Sequence, residues 1–409
     1  HAQRGVDLPE RERRPCRLKS SRLGRQRVGR RGKAPTICAG PRRCGVPAGR
    51  VLVRVSVCLS CVCVYMRASA ADRVVPSGGA NGGSSSLWPH PRSVREYASH
   101  RKKVHTVAWN CSGTKLASGS VDTSVRVWTI DEGGRASDVE LKGHSDSVDQ
   151  LRWDPKNEHL LGTASGDKTV RIWDARTSKC VHAIETRGEN INIRWSPDGQ
   201  HLAVGDKEDN ISIIETRKCK ALRTMKFPHE VNEMAWDPSG RLFFLTTGAG
   251  NVDVFSFVDL LKPPPAPPKP GDGSAAPAPA ATLTGHTANC YCLEFSPSGE
   301  RFAVGGADAL VSLWDVKELA CVATFARLEW PVRTLSFSHD SSYIAAGSED
   351  PLIDVAHVAT GKQALAVPVK APSNSIAFHP KRMLLAFAGD DKDKMGRDEG
   401  SLRILGFPS

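Results

Sequence analysis

The sequence predicts an all-β, seven-bladed β-propeller, and three observations lead there. One aromatic position recurs seven times, at Trp109, Trp153, Trp195, Trp236, Phe295, Phe337 and Phe378, with spacings of 44, 42, 41, 59, 42 and 41 residues. Each unit holds short stretches that alternate apolar and polar residues in period two, divided by Gly, Asp, Asn and Pro. The one long spacing contains a Pro/Ala-rich stretch, 262–281, and removing those 20 residues brings 59 back to 39. A unit of this size cannot bury a core alone, so seven copies imply stacked units.

The second unit shows the grammar most clearly. Gly143-His144 opens it, a strand at 148–153 follows, and Asp154-Pro155 turns the chain into a second strand at 160–165. Gly166-Asp167-Lys168 makes a tight turn into a third strand at 169–174, rich in β-branched residues, and 180–184 supplies a fourth. This pattern, with Trp173-Asp174 and Trp314-Asp315, resembles the WD-repeat signature over about 93–409. The resemblance implies four-stranded blades around a central channel. The seventh unit ends without a fourth strand, and 94–97, just before His100, is expected to supply it and close the ring.

Charge separates the propeller from what precedes it. Residues 1–65 hold 16 Lys and Arg against 3 Asp and Glu, whereas 66–409 hold 40 against 41. The overall net charge of +12 therefore says nothing of the body, which lacks the excess that attracts a phosphate backbone. The first Met is Met66, and 1–65 shows no strand or helix period; it reads as translation upstream of a start at Met66, or as a basic leader. The apolar run 51–65 contains Arg54 and lies too far along the chain for a secretory signal. Residues 66–92 read as a disordered Gly/Ser-rich segment, and 262–281 as a disordered insert between the third and fourth strands of blade four. Its run Pro263-Pro264-Pro265-Ala266-Pro267-Pro268 fits a groove that takes proline helices, or serves as a linker.

Cys58, Cys61 and Cys63 have a knuckle-like spacing without a second cluster, so no metal site is expected. Cys111, Cys180, Cys219, Cys290, Cys292 and Cys321 are scattered and read as free thiols in a reducing compartment. No P-loop, H-E-x-x-H, G-x-S-x-G or dinucleotide fingerprint occurs, so neither an enzyme nor a cofactor is expected.

His144, Asp167, Trp173 and a strand hydroxyl, Thr163 or Ser165, have the composition of a hydrolytic triad. The WD-repeat resemblance implies a buried structural chain instead, running from indole to hydroxyl to imidazole to carboxylate. Unit one matches with His100, Ser118 or Ser120, Asp122 and Trp128. Unit five keeps His286, Asp308 and Trp314 but has Val304 and Gly306 at the hydroxyl positions, so its chain is expected to be incomplete. Units three, four, six and seven lack the set, which bears on their rigidity and not on their fold.

Four residues before each repeating aromatic stand His105, Asp149, Ile191, Asn232, Tyr291, Arg333 and Asn374. Their varied chemistry, at the start of the inner strand, is where a top rim would write partner preference. The charged stretch 389–400 joins two strands of blade seven and is expected on the same face.

Several stretches go beyond repeat grammar: GHSDSVDQLRW at 143–153, GENINIRWSPDG at 188–199, ADALVSLWDVKEL at 307–319, WPVRTLSFSHD at 330–340 and FHPKRMLLAFAGDDKD at 378–393. They resemble the propeller subunits of the THO complex, part of the TREX transcription–export assembly. That likeness implies a nuclear scaffold held by other THO subunits. Through them it would meet an RNA helicase, export adaptors and messenger ribonucleoprotein. A second reading is a substrate receptor of a cullin-RING ubiquitin ligase, because Trp173-Asp174-Ala175-Arg176 matches the W-D-x-R adaptor motif. Arg101-Lys102-Lys103 stands out as a compact basic run in the body.

Overall fold

The computed structural model describes residues 92–262, 274–392 and 395–408. The leader, the start at Met66, the Gly/Ser-rich segment, the cysteine knuckle and the proline run at 263–268 lie outside them.

Seven antiparallel sheets follow one another along the chain, and the inner strand of each packs on the inner strands of its two neighbours until blade seven meets blade one. Blade two consists of Val148–Trp153, Leu160–Ser165, Thr169–Asp174 and Lys179–Glu185, each paired with the next. Burial is highest on the second strand of each blade and falls from there to the outer strand. Second strands lie between two other blades and are covered on both faces, so they read as runs of apolar and small residues such as LLGTAS and RFAVGG. Outer strands are wetted on one side, and Lys179–Glu185 is largely exposed.

Adjacent blades meet closely where the second strand pairs with the residue three before the repeating aromatic. That position is Gly119, Ala164, Gly205, Thr246, Gly305, Gly347 or Ala388. A Cβ on Gly305 would meet the Cys292 and Val332 side chains at 2.6 Å each, so the packed side chains of the same and the next blade select the small residue.

The ring closes without a covalent bond. Arg92–His100 pairs antiparallel with Gly400–Pro408 and forms the outer strand of blade seven. Arg403 fastens this arrangement: its guanidinium lies 3.1 Å from Glu96 on the closing strand and 2.6 Å from buried Asp391 in the charged loop. Two open sheet edges disappear together.

The insert in blade four is more ordered at its C-terminal end than the sequence implied, and a short helix leads into it. After Asn251–Ser256 the chain forms a short helix, Phe257–Leu261, capped by the Ser256 side chain and buried through Phe257 and Leu260. Arg223 of blade three donates to the Leu260 and Lys262 carbonyls. The chain then returns as Ser274–Ala275, a fifth strand parallel to the outer strand of blade three, and Ala281–Thr284 completes blade four. The expectation of disorder throughout 262–281 is therefore corrected at its C-terminal end, where backbone pairing holds Ser274–Ala275 and Ala281.

Candidate functional site

The triad-like residues of blade two form one buried chain. Trp173 Nε1–H donates to Thr163 Oγ1 (2.9 Å), the Thr163 hydroxyl to His144 Nε2 (2.7 Å), and His144 Nδ1–H to Asp167 (2.8 Å). Ser165 stands outside it, bonding the Asp146 carbonyl and the Asp167 amide. Burial would raise the Asp167 pKa, but hydrogen bonds from Thr169 and His144 outweigh it and hold the carboxyl at about 2. Burial pushes the His144 imidazole below its usual value, against the pull of Asp167. A neutral imidazole between a hydroxyl and a carboxylate satisfies each member of the chain. Thr163 is fully buried, so its hydroxyl is not presented to solvent as a nucleophile.

Blade one repeats the arrangement through Ser118, which accepts from Trp128 (2.9 Å) and bonds His100 (2.7 Å). Ser120 is turned to the Lys103 carbonyl. Blade five corrects the sequence reading. Its chain is complete, because Ser312 accepts from Trp314 (2.7 Å) and bonds His286 (2.8 Å), which lies 2.9 Å from Asp308.

The Ser312 position is polar in all seven blades: Arg126, Arg171, Ser212, Asp253, Ser312, Asp354 and Arg403 share one register on the third strand. In blades without the His–Asp chain this residue carries a substitute. Ser212 bonds Thr224 (2.9 Å). Asp253 accepts from Thr282 (2.7 Å) and lies 3.4 Å from His229. Asp354 receives Arg327 (2.7 Å) and Gln363 (2.8 Å), and Arg403 takes Glu96 and Asp391. Blades three, four, six and seven thus lack the His–Asp chain but each carries a polar contact of its own at this register.

The rim residues come together only in part. His105 and Asp149 meet across blades one and two at 3.2 Å. Asn374 Nδ2–H donates to Asp390 (2.7 Å), which also lies 3.4 Å from Lys103, and Arg333 pairs with Glu349. His105, Asp149, Arg333 and Asn374 line one cavity of about 110 Å³ at the channel mouth. Asn232, Tyr291 and Ile191 stand outside its lining. The Asn232 carbonyl accepts from Asn192.

Sequence reasoning missed the channel wall below. One and three residues before the aromatic, the inner strands present side chains that stitch blade to blade. Val107 N–H donates to Ser375 Oγ (3.0 Å), Ile193 N–H to Gln150 Oε1 (2.6 Å) and Ile376 N–H to Thr334 Oγ1 (3.1 Å). The repeating indoles do the same: Trp109, Trp153 and Trp195 donate to the Ala377, Ala108 and Arg152 carbonyls. Arg194 of blade three reaches across blade four to Glu294 of blade five (3.1 Å). Burial would lower its pKa, but Glu294 and Glu233 outweigh it and raise it. The polar residues at these offsets were a legible signal.

The W-D-x-R residues are engaged with each other. Arg176 places Nη2 2.8 Å and Nε 3.2 Å from Asp174, whose carboxyl is held at about 2 by that guanidinium. Trp173 is buried in the blade-two chain, so the motif is accounted for inside this fold.

Seven four-stranded blades, three of them fastened by the Trp–hydroxyl–His–Asp chain, define a WD-repeat β-propeller. Residues 100–388 match the THOC3 beta-propeller domain family, and the chain belongs to that family. It is 54% identical over 318 residues to THO complex subunit 3 of Arabidopsis thaliana, spanning 77% of this chain and 96% of that protein. It is also 34% identical to WD repeat-containing protein AAC3 of Dictyostelium discoideum, over 78% of this chain and 67% of the relative. A more distant likeness, at 24%, joins 69% of it to nuclear distribution protein nudF of Aspergillus niger.

Proposed function

We propose that this protein is a non-catalytic scaffold subunit of a THO complex in the nucleus. It couples transcription and mRNA processing to mRNA export through protein contacts. The observation that carries this reading is the 54% identity to a THO subunit over 96% of that protein's length. The geometry supports the scaffold part. The buried hydrogen-bond chains and inter-blade stitches give a rigid ring, and the channel mouth gathers His105, Asp149, Arg333 and Asn374 into a concave surface of mixed charge. Such a surface suits a protein partner, whereas a body with 40 basic against 41 acidic side chains offers RNA little counterion release. The partners are then the other THO subunits, and an RNA helicase, export adaptors and messenger ribonucleoprotein are reached through them. Affinity capture of the tagged full chain from nuclear extract, with nuclease, tests this. Co-purification of THO subunits is the expected result, and capture of a ligase adaptor and cullin without them would refute it.

A further inference from the structure

We propose that the bottom outer corner of blade three is a docking site for an acidic, leucine-containing segment of a partner protein, at Arg217, Lys218, Lys220 and Leu222. The outer strand there, Lys220–Lys226, carries Lys220, Arg223 and Lys226 and no acid, and the turn before it adds Arg217 and Lys218. The outer strands of blades four, five and six are uncharged, that of blade one holds Asp138 and Glu140, and that of blade two balances Lys179 with Glu185. Blade three is thus the one net-positive outer edge of the first six, on a body that is otherwise near neutral.

Among the described residues little neutralises this corner, and Lys226, at the far end of the strand, lies 3.8 Å from an acid on another strand's turn, Asp209. Lys218 pairs with Glu215 at 2.9 Å in the open, a contact water screens and an incoming carboxylate can replace. Among the described residues Arg217 and Lys220 have no ion pair. Arg223, held by the Leu260 and Lys262 carbonyls, fixes a further positive charge beside them.

The backbone decides how a partner would be read. A bulge between Ala221 and Arg223 throws Leu222 outward, 47% exposed, and breaks the ladder edge. The upper end of the edge is already taken by Ser274–Ala275, with Ala276 N–H donating to the Lys226 carbonyl. Strand addition is therefore blocked at the bottom corner, and recognition falls to side chains: carboxylates on Arg217 and Lys220, an apolar group on Leu222 between them. No aromatic residue occurs from 215 to 226 for a base to stack on, which favours an acidic protein segment over RNA. The proposal stands apart from the rim and from the THO reading.

The probe is a fluorescein-labelled peptide of alternating glutamate and leucine, titrated by anisotropy against the full chain. Binding should weaken at least about tenfold in Arg217→Glu/Lys220→Glu and severalfold in Leu222→Ser, and fall with salt. Reversal of Arg101 and Lys102 should leave it unchanged. The altered side chains are exposed, so melting should hold, and Arg217→Gln/Lys220→Gln repeats the test without added negative charge. No binding, equal losses from both reversals, or an oligouridine strand that displaces the peptide from this corner would each overturn the proposal.

Discussion

Ser312 faces Val304 across the second and third strands of blade five, and it takes over the hydroxyl duty that Thr163 performs in blade two. The hydroxyl has crossed one step of the ladder, yet it still lies between an indole and an imidazole.

The exchange makes a stability prediction. Ser312→Ala leaves Trp314 and His286 without their shared buried partner and should cost about 1–3 kcal/mol. Adding Val304→Ser restores a hydroxyl in the blade-two position and should recover part of the loss. Urea unfolding of the single and double variants checks this, and a Ser312→Ala variant as stable as the parent would count against the chain.

Asp167→Ala should destabilise the propeller by about 2–4 kcal/mol, since the His144 donor is left buried and unpaired. The Asp167 carboxyl is depressed to about 2 in the fold, so its contribution is complete above the unfolded value near 4 and is lost as pH falls from about 4 to about 2. Between those values parent and variant should converge in denaturant midpoint. Asp253 is no neutral comparison, because it is buried and hydrogen-bonded to Thr282; exposed Glu318 is the fitting control.

Most of the fold could be read from the sequence, because the aromatic period and the two-residue alternation are written into every unit. Blade five departs from the sequence expectation for a physical reason: its hydroxyl stands on the third strand, where Ser312 lies opposite Val304. Asp354 and Arg403 are not legible from the repeat because their partners Arg327 and Asp391 lie in loops, and Asp253 because the insert displaces its ladder partner Thr282 along the sequence. The rim was located by register alone, and register could not tell that Asn232 and Tyr291 stand outside the cavity that His105 and Arg333 share.

His379 joins the last blade to the first and should make that junction sensitive to acid. Its Nε2–H donates to the Gly113 carbonyl (2.9 Å), while Nδ1 accepts from the Lys381 and Arg382 amides. Gly113 has φ +76° and a Cβ there would strike the His379 ring, so the contact is tight. Burial, helped by the Arg382 charge, lowers the His379 pKa to about 4. The unfolded chain binds its proton first, so stability falls as pH drops from about 6.5 toward about 4. His379→Gln should flatten that part of the pH–stability curve, and an unchanged slope would contradict the assignment.

Removing 93–99 should raise hydrogen exchange across the third strand of blade seven, Gly400–Pro408, because both its ladder and the Glu96 contact to Arg403 go with it. Shortening the insert within 263–273 should leave that exchange unchanged. A deletion running through Ala281 would also trim the outer strand of blade four and is expected to destabilise it. Exchange mass spectrometry of the three proteins separates these outcomes.

Reconstituting the full chain with THO subunits, beside an RNA gel shift, tests whether the propeller holds proteins together. Asp149→Arg with Arg333→Glu, which breaks the His105–Asp149 and Arg333–Glu349 pairs at the channel mouth, should weaken subunit capture. Neutralising Arg101, Lys102 and Lys103 should change capture less, and the unaltered chain should shift RNA weakly at physiological salt. Tight, salt-sensitive RNA binding by the chain alone, with subunit capture indifferent to the rim reversals, would contradict the claim.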